Sequence, residues 1–138
     1  MRRLSKSKRA EPRHGAAVVE LAILLPILLT VTFGSLEICN RLFLRQTAAV
    51  AAYETARLAA RRTVSETQAQ ARGLTLLQGR QIVGGSVSIS PGGNGLTTLP
   101  TGGQLTVTVS IPVAGNTPVS YLLSTSGAVT GTAVMLRE

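Results

Sequence analysis

The sequence predicts an α+β protein: a long N-terminal helix, a second helix, and a small three-stranded antiparallel sheet packed on helix. Two observations carry this prediction. Residues 15–36 form a nearly unbroken apolar run, and no proline or glycine interrupts residues 35–72. After residue 80, hydroxyl and aliphatic side chains alternate between glycine-rich loops. Such alternation is typical of antiparallel strands that have one covered face.

The apolar run is long enough to cross a membrane as a helix, because about 20 residues rising about 1.5 Å each match a hydrocarbon core of roughly 30 Å. The residues before it hold six Arg or Lys against one Glu, and basic flanks of this kind stay in the cytoplasm. The sequence therefore divides into a basic leader (1–15), a transmembrane helix (16–38) and an extracytoplasmic α+β domain (39–138). We expect a single-pass protein of the cytoplasmic (inner) membrane, with the C-terminal domain outside.

An ordinary secretory signal peptide is the main competing interpretation of residues 1–40. The apolar region of a signal peptide has about 7–15 residues and is followed by an A-x-A-like site. The run here is longer, and no convincing site of that kind follows it. Two alternatives stay open: a signal-anchored envelope protein with a small outward-facing binding domain, neither cleaved nor part of a fibre, and a small β-rich domain that is secreted after cleavage.

Beyond the membrane, the first helix is expected to continue to Arg62. The spacing of its larger apolar side chains predicts one stripe along the helix. That stripe consists of Leu36, Phe43, Val50 and Tyr53, with Thr47 between them. Alanines fill much of the remaining surface, and small side chains of this kind allow close helix packing.

The charged side chains of this helix are expected to be solvated. Glu37 and Arg41 stand four residues apart, in the order that favours an ion pair on a helix. Glu54 and Arg57 stand three residues apart.

The later elements follow from local signals. A second helix is predicted to start after Thr63 or Ser65, because each can form a capping box with the residue three positions on, and to end near Gly79. The period-two alternation predicts strands near residues 86–89, 105–113 and 129–137, with loops at 90–103 and 114–127.

The sequence offers little support for catalysis, a metal or a cofactor. The single histidine, His14, lies in the leader, the acids are not clustered, and the single cysteine, Cys39, cannot form an internal disulfide. The basic leader lacks interleaved aromatic residues, so its charge favours membrane orientation over nucleic-acid binding. We expect neither an enzyme nor a nucleic-acid or small-molecule binder.

The most specific motif in the sequence is Gly15-Ala16-Ala17-Val18-Val19-Glu20. A carboxylate within an apolar span costs roughly 2.5–3.5 kcal/mol at the centre of a membrane helix, so such residues usually have a partner. Cleavage after Gly15 would create a terminal amine on Ala16, about 6 Å along the helix axis from Glu20. The two charges would then neutralise each other, within one subunit or between neighbours.

Residues 14–62 resemble the TadE-like family of the tight-adherence (Tad) pilus system, a branch of the type IV pilus machinery. The resemblance is carried by the basic leader, the segment from Gly15 to Glu20, the Leu/Ile run with Pro26, Glu37 after Gly34, and the block 51–57. It implies a membrane-anchored, minor pilin-like or pseudopilin-like protein that acts in pilus assembly and cell adhesion. It also implies cleavage by a prepilin peptidase between Gly15 and Ala16, an assembly role for Glu20, and contact with membrane lipid and other pilin-like subunits.

Overall fold

The structure, a computed structural model, describes residues 14–90 and 95–138. The predicted leader up to residue 13, and part of the predicted loop after Ser90, lie outside the described residues. The described part has the expected α+β layout: two helices followed by a three-stranded sheet. The elements are α1 (His14–Ala59), α2 (Glu66–Gly79), β1 (Ser86–Ser90), β2 (Gln104–Pro112) and β3 (Ala128–Leu136), with a short 3-10 turn at Leu96–Thr98.

Helix α1 has 46 residues and is continuous through Pro26. Its first part, Gly15–Thr32, is almost entirely exposed. Contact with the rest of the chain begins at Phe33, whose ring centroid lies 6.0 Å from that of Tyr121. The helix therefore has a free segment (15–32) and a packed segment (33–59).

Helix α2 begins with the predicted capping box. The Ser65 hydroxyl accepts a hydrogen bond from the backbone N–H of Gln68, and the Gln68 side chain accepts one from the Ser65 N–H. The two bonds satisfy amide groups that the first turn of a helix leaves unpaired. This confirms the second of the two predicted starts.

The sheet is antiparallel in the order β1-β2-β3. Val109 in the central strand pairs with Val87 on one side and Gly131 on the other. The alternation is strict in β2, where one face is fully buried. The buried residues of that face are Leu105, Val107, Val109 and Ile111. This face packs on α1, and the observed strands confirm the predicted ones to within one or two residues.

The predicted apolar stripe on α1 does not face the core, apart from Thr47. Leu36, Phe43, Val50 and Tyr53 are 44–53 % exposed, whereas Thr47 is buried. The buried side of the helix is built mainly from small residues instead, with one leucine. Its members are Leu44, Thr47, Ala48, Ala51, Ala52, Thr55, Ala56 and Ala59.

The physical reason is the closeness of sheet and helix. A Cβ atom on Gly131 of β3 would lie 2.4 Å from the carbonyl carbon of Ala48 in α1. At that separation only small side chains fit between the elements, so the larger ones are turned outward. The amide N–H of Glu138 also donates to the Ala60 carbonyl at 3.0 Å, which fastens the end of β3 to the end of α1.

Candidate functional site

The N-terminal motif lies in the first turns of α1. Gly15, Ala16 and Glu20 are all exposed, and a Cβ atom on Gly15 would meet no atom within 4 Å. The structure therefore places the predicted processing site and the predicted assembly residue on the same open end of the helix, about one turn apart. No neighbouring element of the described chain covers this end.

The free segment of α1 is apolar on all sides apart from Glu20 and two threonines near its end. Its large side chains are 44–66 % exposed. These are Val18, Val19, Leu21, Ile23, Leu24, Leu25, Ile27, Leu28, Leu29 and Val31. A helix that is apolar all round is not stable in water as a free element and belongs in a protein core or a membrane. Its most apolar stretch has a mean hydropathy of 2.3 with none of it buried, and α1 is the one helix of the described chain long and apolar enough to span a membrane.

The two threonine hydroxyls of this segment are satisfied within the helix. Thr30 donates to the Pro26 carbonyl at 2.8 Å, and Thr32 donates to the Leu28 carbonyl at 2.8 Å. Such internal bonds leave no hydroxyl donor unpaired, which is what a segment surrounded by hydrocarbon requires.

A second site lies where the free segment ends. Glu37 is 1 % exposed, and its two carboxylate oxygens accept hydrogen bonds from the backbone N–H groups of Leu122 and Leu123, each at 2.9 Å. These amides belong to the loop 113–127, which joins β2 to β3. The expectation that Glu37 is a solvated helix charge is therefore wrong.

Two further contacts hold the same loop on α1. Phe33 packs against Tyr121, and Leu122 lies so close to Gly34 that a Cβ atom there would be 2.7 Å from its Cδ1. We call the set Phe33, Gly34, Glu37, Tyr121, Leu122 and Leu123 the Glu37 clamp.

Two amide donors and one cation lie close to the Glu37 carboxylate. The backbone N–H groups of Leu122 and Leu123 each donate to one of its oxygens, and Arg41 follows one turn later on α1. The Arg41 guanidinium donates to the Ser124 carbonyl of the same loop.

The far end of the loop is fixed by an asparagine. Asn116 accepts a hydrogen bond from the Val83 N–H and donates to the carbonyls of Val83 and Pro112, each at 2.8 Å. Asn40 of α1 donates to the Asn116 carbonyl at 3.0 Å. The loop therefore has defined contacts with α1 at both ends.

Sequence reasoning missed the clamp, although two signals pointed to it. Glu37 stands three residues after Gly34, at the end of a long apolar run. The apolar triplet 121–123 sits in a loop with no strand to place it on. The other acid–base pair of α1 makes no comparable contact. The Glu54 carboxylate and the Arg57 guanidinium are 3.9 Å apart, a loose ion pair at the surface.

Two clefts of the described chain are lined mainly by arginine and aliphatic side chains. One of about 150 Å³ lies between α1 and α2 and contains Arg57, Arg61, Arg72 and Glu54. Another of about 440 Å³ lies between α1 and β3 and contains Arg41 and Arg45. Within residues 14–90 and 95–138, no three His, Cys, Asp or Glu residues come together as a metal site would require.

The architecture by itself defines a class of protein. A long helix with a free, wholly apolar N-terminal segment carries a compact helix-and-sheet domain on its second half. This layout is compatible with a single-pass membrane anchor that presents a small domain.

Comparison with known families adds a more specific result. Residues 15–57 match the family described as TadE-like protein, which confirms the resemblance drawn from the sequence. The match covers nearly the whole of α1 and ends before the sheet. It associates the chain with pilin-like proteins of the Tad pilus. Searches among curated proteins and among solved structures gave no match.

Proposed function

We propose that the chain is a membrane-anchored, minor pilin-like or pseudopilin-like subunit for the assembly of adhesive Tad-type pili. The observation that carries this proposal is the free segment of α1, which exposes apolar side chains on every side and a single acid, Glu20, close to its start. The match of residues 15–57 to the TadE-like family supports the same function.

The anchor follows from the length and flanks of α1. Counted from Gly15, a helix reaches the far side of a hydrocarbon core of about 30 Å near residue 35. In the proposal, residues 16–32 lie in hydrocarbon, and the rest of the predicted span, to residue 38, lies at the outer interface. The basic leader stays in the cytoplasm, because Lys and Arg flanking a span favour that side.

Processing follows from the position of Glu20. We propose that a prepilin peptidase cuts between Gly15 and Ala16, and that the new amine of Ala16 pairs with Glu20. Lysine occurs only at positions 6 and 8. A chain cut after Gly15 therefore carries one primary amine, at Ala16, because arginine supplies all its other side-chain cations.

Assembly through α1 is supported by the exposed stripe of the packed segment. Leu36, Phe43 and Val50 recur every seven residues, and Tyr53 follows three residues later. This stripe is turned away from the sheet and is exposed. An apolar seam with this period packs against other helices, so we propose that it contacts other pilin-like subunits once α1 has positioned them.

Replacing Glu20 by alanine tests the assembly role. We expect E20A to insert into membranes as the wild type does, because removing a charge makes the span more apolar. We expect the amount of partner pilin-like subunits that co-purifies with it to fall several-fold, because the terminal amine loses its counter-charge. The measurement is quantitative co-purification from solubilised membranes.

Two controls sharpen this test. E20Q keeps the size of the side chain and removes its charge, and should behave as E20A does. E54A removes a partly buried acid from the outer part of α1 and should behave as the wild type. A zero-length carbodiimide cross-linker should join Ala16 to Glu20 in the wild type and not in E20Q. Equal recovery of partners with E20A and the wild type would contradict the proposed role.

A further inference from the structure

The tip of the loop 113–127 exposes apolar side chains beside the end of the free helix segment. Tyr121 is 58 % exposed, Leu122 56 % and Leu123 39 %. The other long loop of the domain behaves differently, since its Leu96 is 1 % exposed and belongs to the core. The chain therefore buries Leu96 of one loop and leaves the apolar tip of the other uncovered.

The loop also lacks charge. None of the residues 113–127 is Asp, Glu, Lys, Arg or His. The one carboxylate beside the tip, Glu37, is buried and directed at backbone amides. Moving the apolar tip out of water would therefore not require the desolvation of a charged side chain of the loop.

The Glu37 clamp fixes the height of this tip along α1. Its contacts are with Phe33, Gly34 and Glu37, which lie about 27–33 Å along the helix from Gly15. If Gly15 is at the inner boundary of a hydrocarbon core of about 30 Å, the clamp stands at the outer boundary. Tyrosine is enriched at this depth, because its ring is apolar and its hydroxyl is polar.

We infer that residues 121–123 form a wedge that sits in the outer lipid–water interface, with the leucine side chains in the acyl region and the Tyr121 hydroxyl among the headgroups. The occupant of this surface is membrane lipid, because the tip is continuous with the apolar free segment and is held at interfacial height. The inference rests on the proposed membrane anchoring of α1. It makes the Glu37 clamp the device that fixes the domain against the bilayer.

The absence of tryptophan from the chain allows a direct test. The variant Y121W places a single fluorophore in the tip of the full-length protein, which is reconstituted in phospholipid vesicles with bromine atoms near either the carbonyl or the methyl end of the acyl chains. We expect blue-shifted emission that is lost in vesicles brominated near the carbonyl end, with weaker loss when the bromines are deep. Tyr53 is similarly exposed at 53 % and stands about 24 Å beyond Glu37 along α1, so Y53W should emit as in water and resist quenching.

A third variant separates this inference from the anchor itself. L28W lies within the free segment and should be quenched most by deep bromines. Quenching of L28W without quenching of Y121W would overturn the wedge and leave the anchor standing, whereas loss of quenching in both would overturn both. Blue-shifted Y121W emission that is not quenched by bromine, and that depends on the number of protein molecules per vesicle, would show that a second protein chain covers the tip. That result would also overturn the lipid assignment.

Discussion

The substitution G131A is expected to lower the free energy of unfolding by about 3 kcal/mol, at the upper end of the usual cost of overpacking a core. A Cβ atom at this position would stand 2.4–2.6 Å from three backbone atoms of Ala48 and Ala49. Backbone cannot rotate away as a flexible side chain can, so β3 and α1 would have to separate. Small domains have about 5–15 kcal/mol of stability in total, so a substantial fraction would be lost. Thermal unfolding of the full chain in detergent measures this effect.

A matched glycine provides the control. Gly79 lies at the end of α2, and a Cβ atom there would meet nothing within 4 Å. G79A should therefore leave stability unchanged or raise it slightly, because alanine reduces the freedom of the unfolded chain. If G131A unfolds at the same temperature as G79A, the close packing of β3 on α1 is not the basis of the fold.

Removing the carboxylate of Glu37 is expected to release the loop 113–127 from α1. In E37A, the backbone N–H groups of Leu122 and Leu123 lose their acceptors, and buried donors without partners are costly. We expect a fall of several degrees in the unfolding temperature and protease cleavage within the loop, which is protected in the wild type. Limited proteolysis followed by mass spectrometry locates the cut.

A matched pair of variants provides the control. E37Q keeps the size of the side chain but offers one acceptor oxygen in place of two, so it should also weaken the contact between the loop and α1. E54Q makes the same change at an acid of α1 that does not contact this loop, and should leave the loop protected. Wild-type protection of the loop in both E37A and E37Q would show that the carboxylate does not hold it.

Local rules predicted the elements that depend on neighbouring residues. The capping box at Ser65 and Gln68 is a contact over three residues, and the alternation in β2 reports burial of one face directly. Both were therefore readable from sequence. The family resemblance over α1 was readable for the same reason, since its residues are contiguous.

The orientation of α1 against the sheet was not readable in this way. Periodicity selects a face by the size of its apolar side chains, and here the face with larger residues points outward. The deciding residue is Gly131, which lies 83 positions beyond Ala48 in the chain and brings the two backbones together. The hydrogen-bond partners of Glu37 could not be predicted for the same reason. They are backbone amides of a loop that lies 85 and 86 positions further along the chain.

The Glu37 clamp connects the two halves of the proposed function. In the proposed function, the free segment of α1 would lie in the membrane, and the clamp would tie the outer domain to the point where the helix leaves it. A rigid connection at this height leaves the apolar stripe of the packed segment facing outward. Subunits anchored in one bilayer would then present their stripes at one level, which favours lateral assembly.

The central claim is that the mature subunit starts at Ala16, with its new amine beside Glu20. The most direct test is the intact mass of the chain purified from membranes that contain a prepilin peptidase. The proposed function predicts the mass of residues 16–138, without the first 15 residues. A mass corresponding to the whole chain from Met1 would contradict it, and would favour an uncleaved anchor without the amine that Glu20 requires.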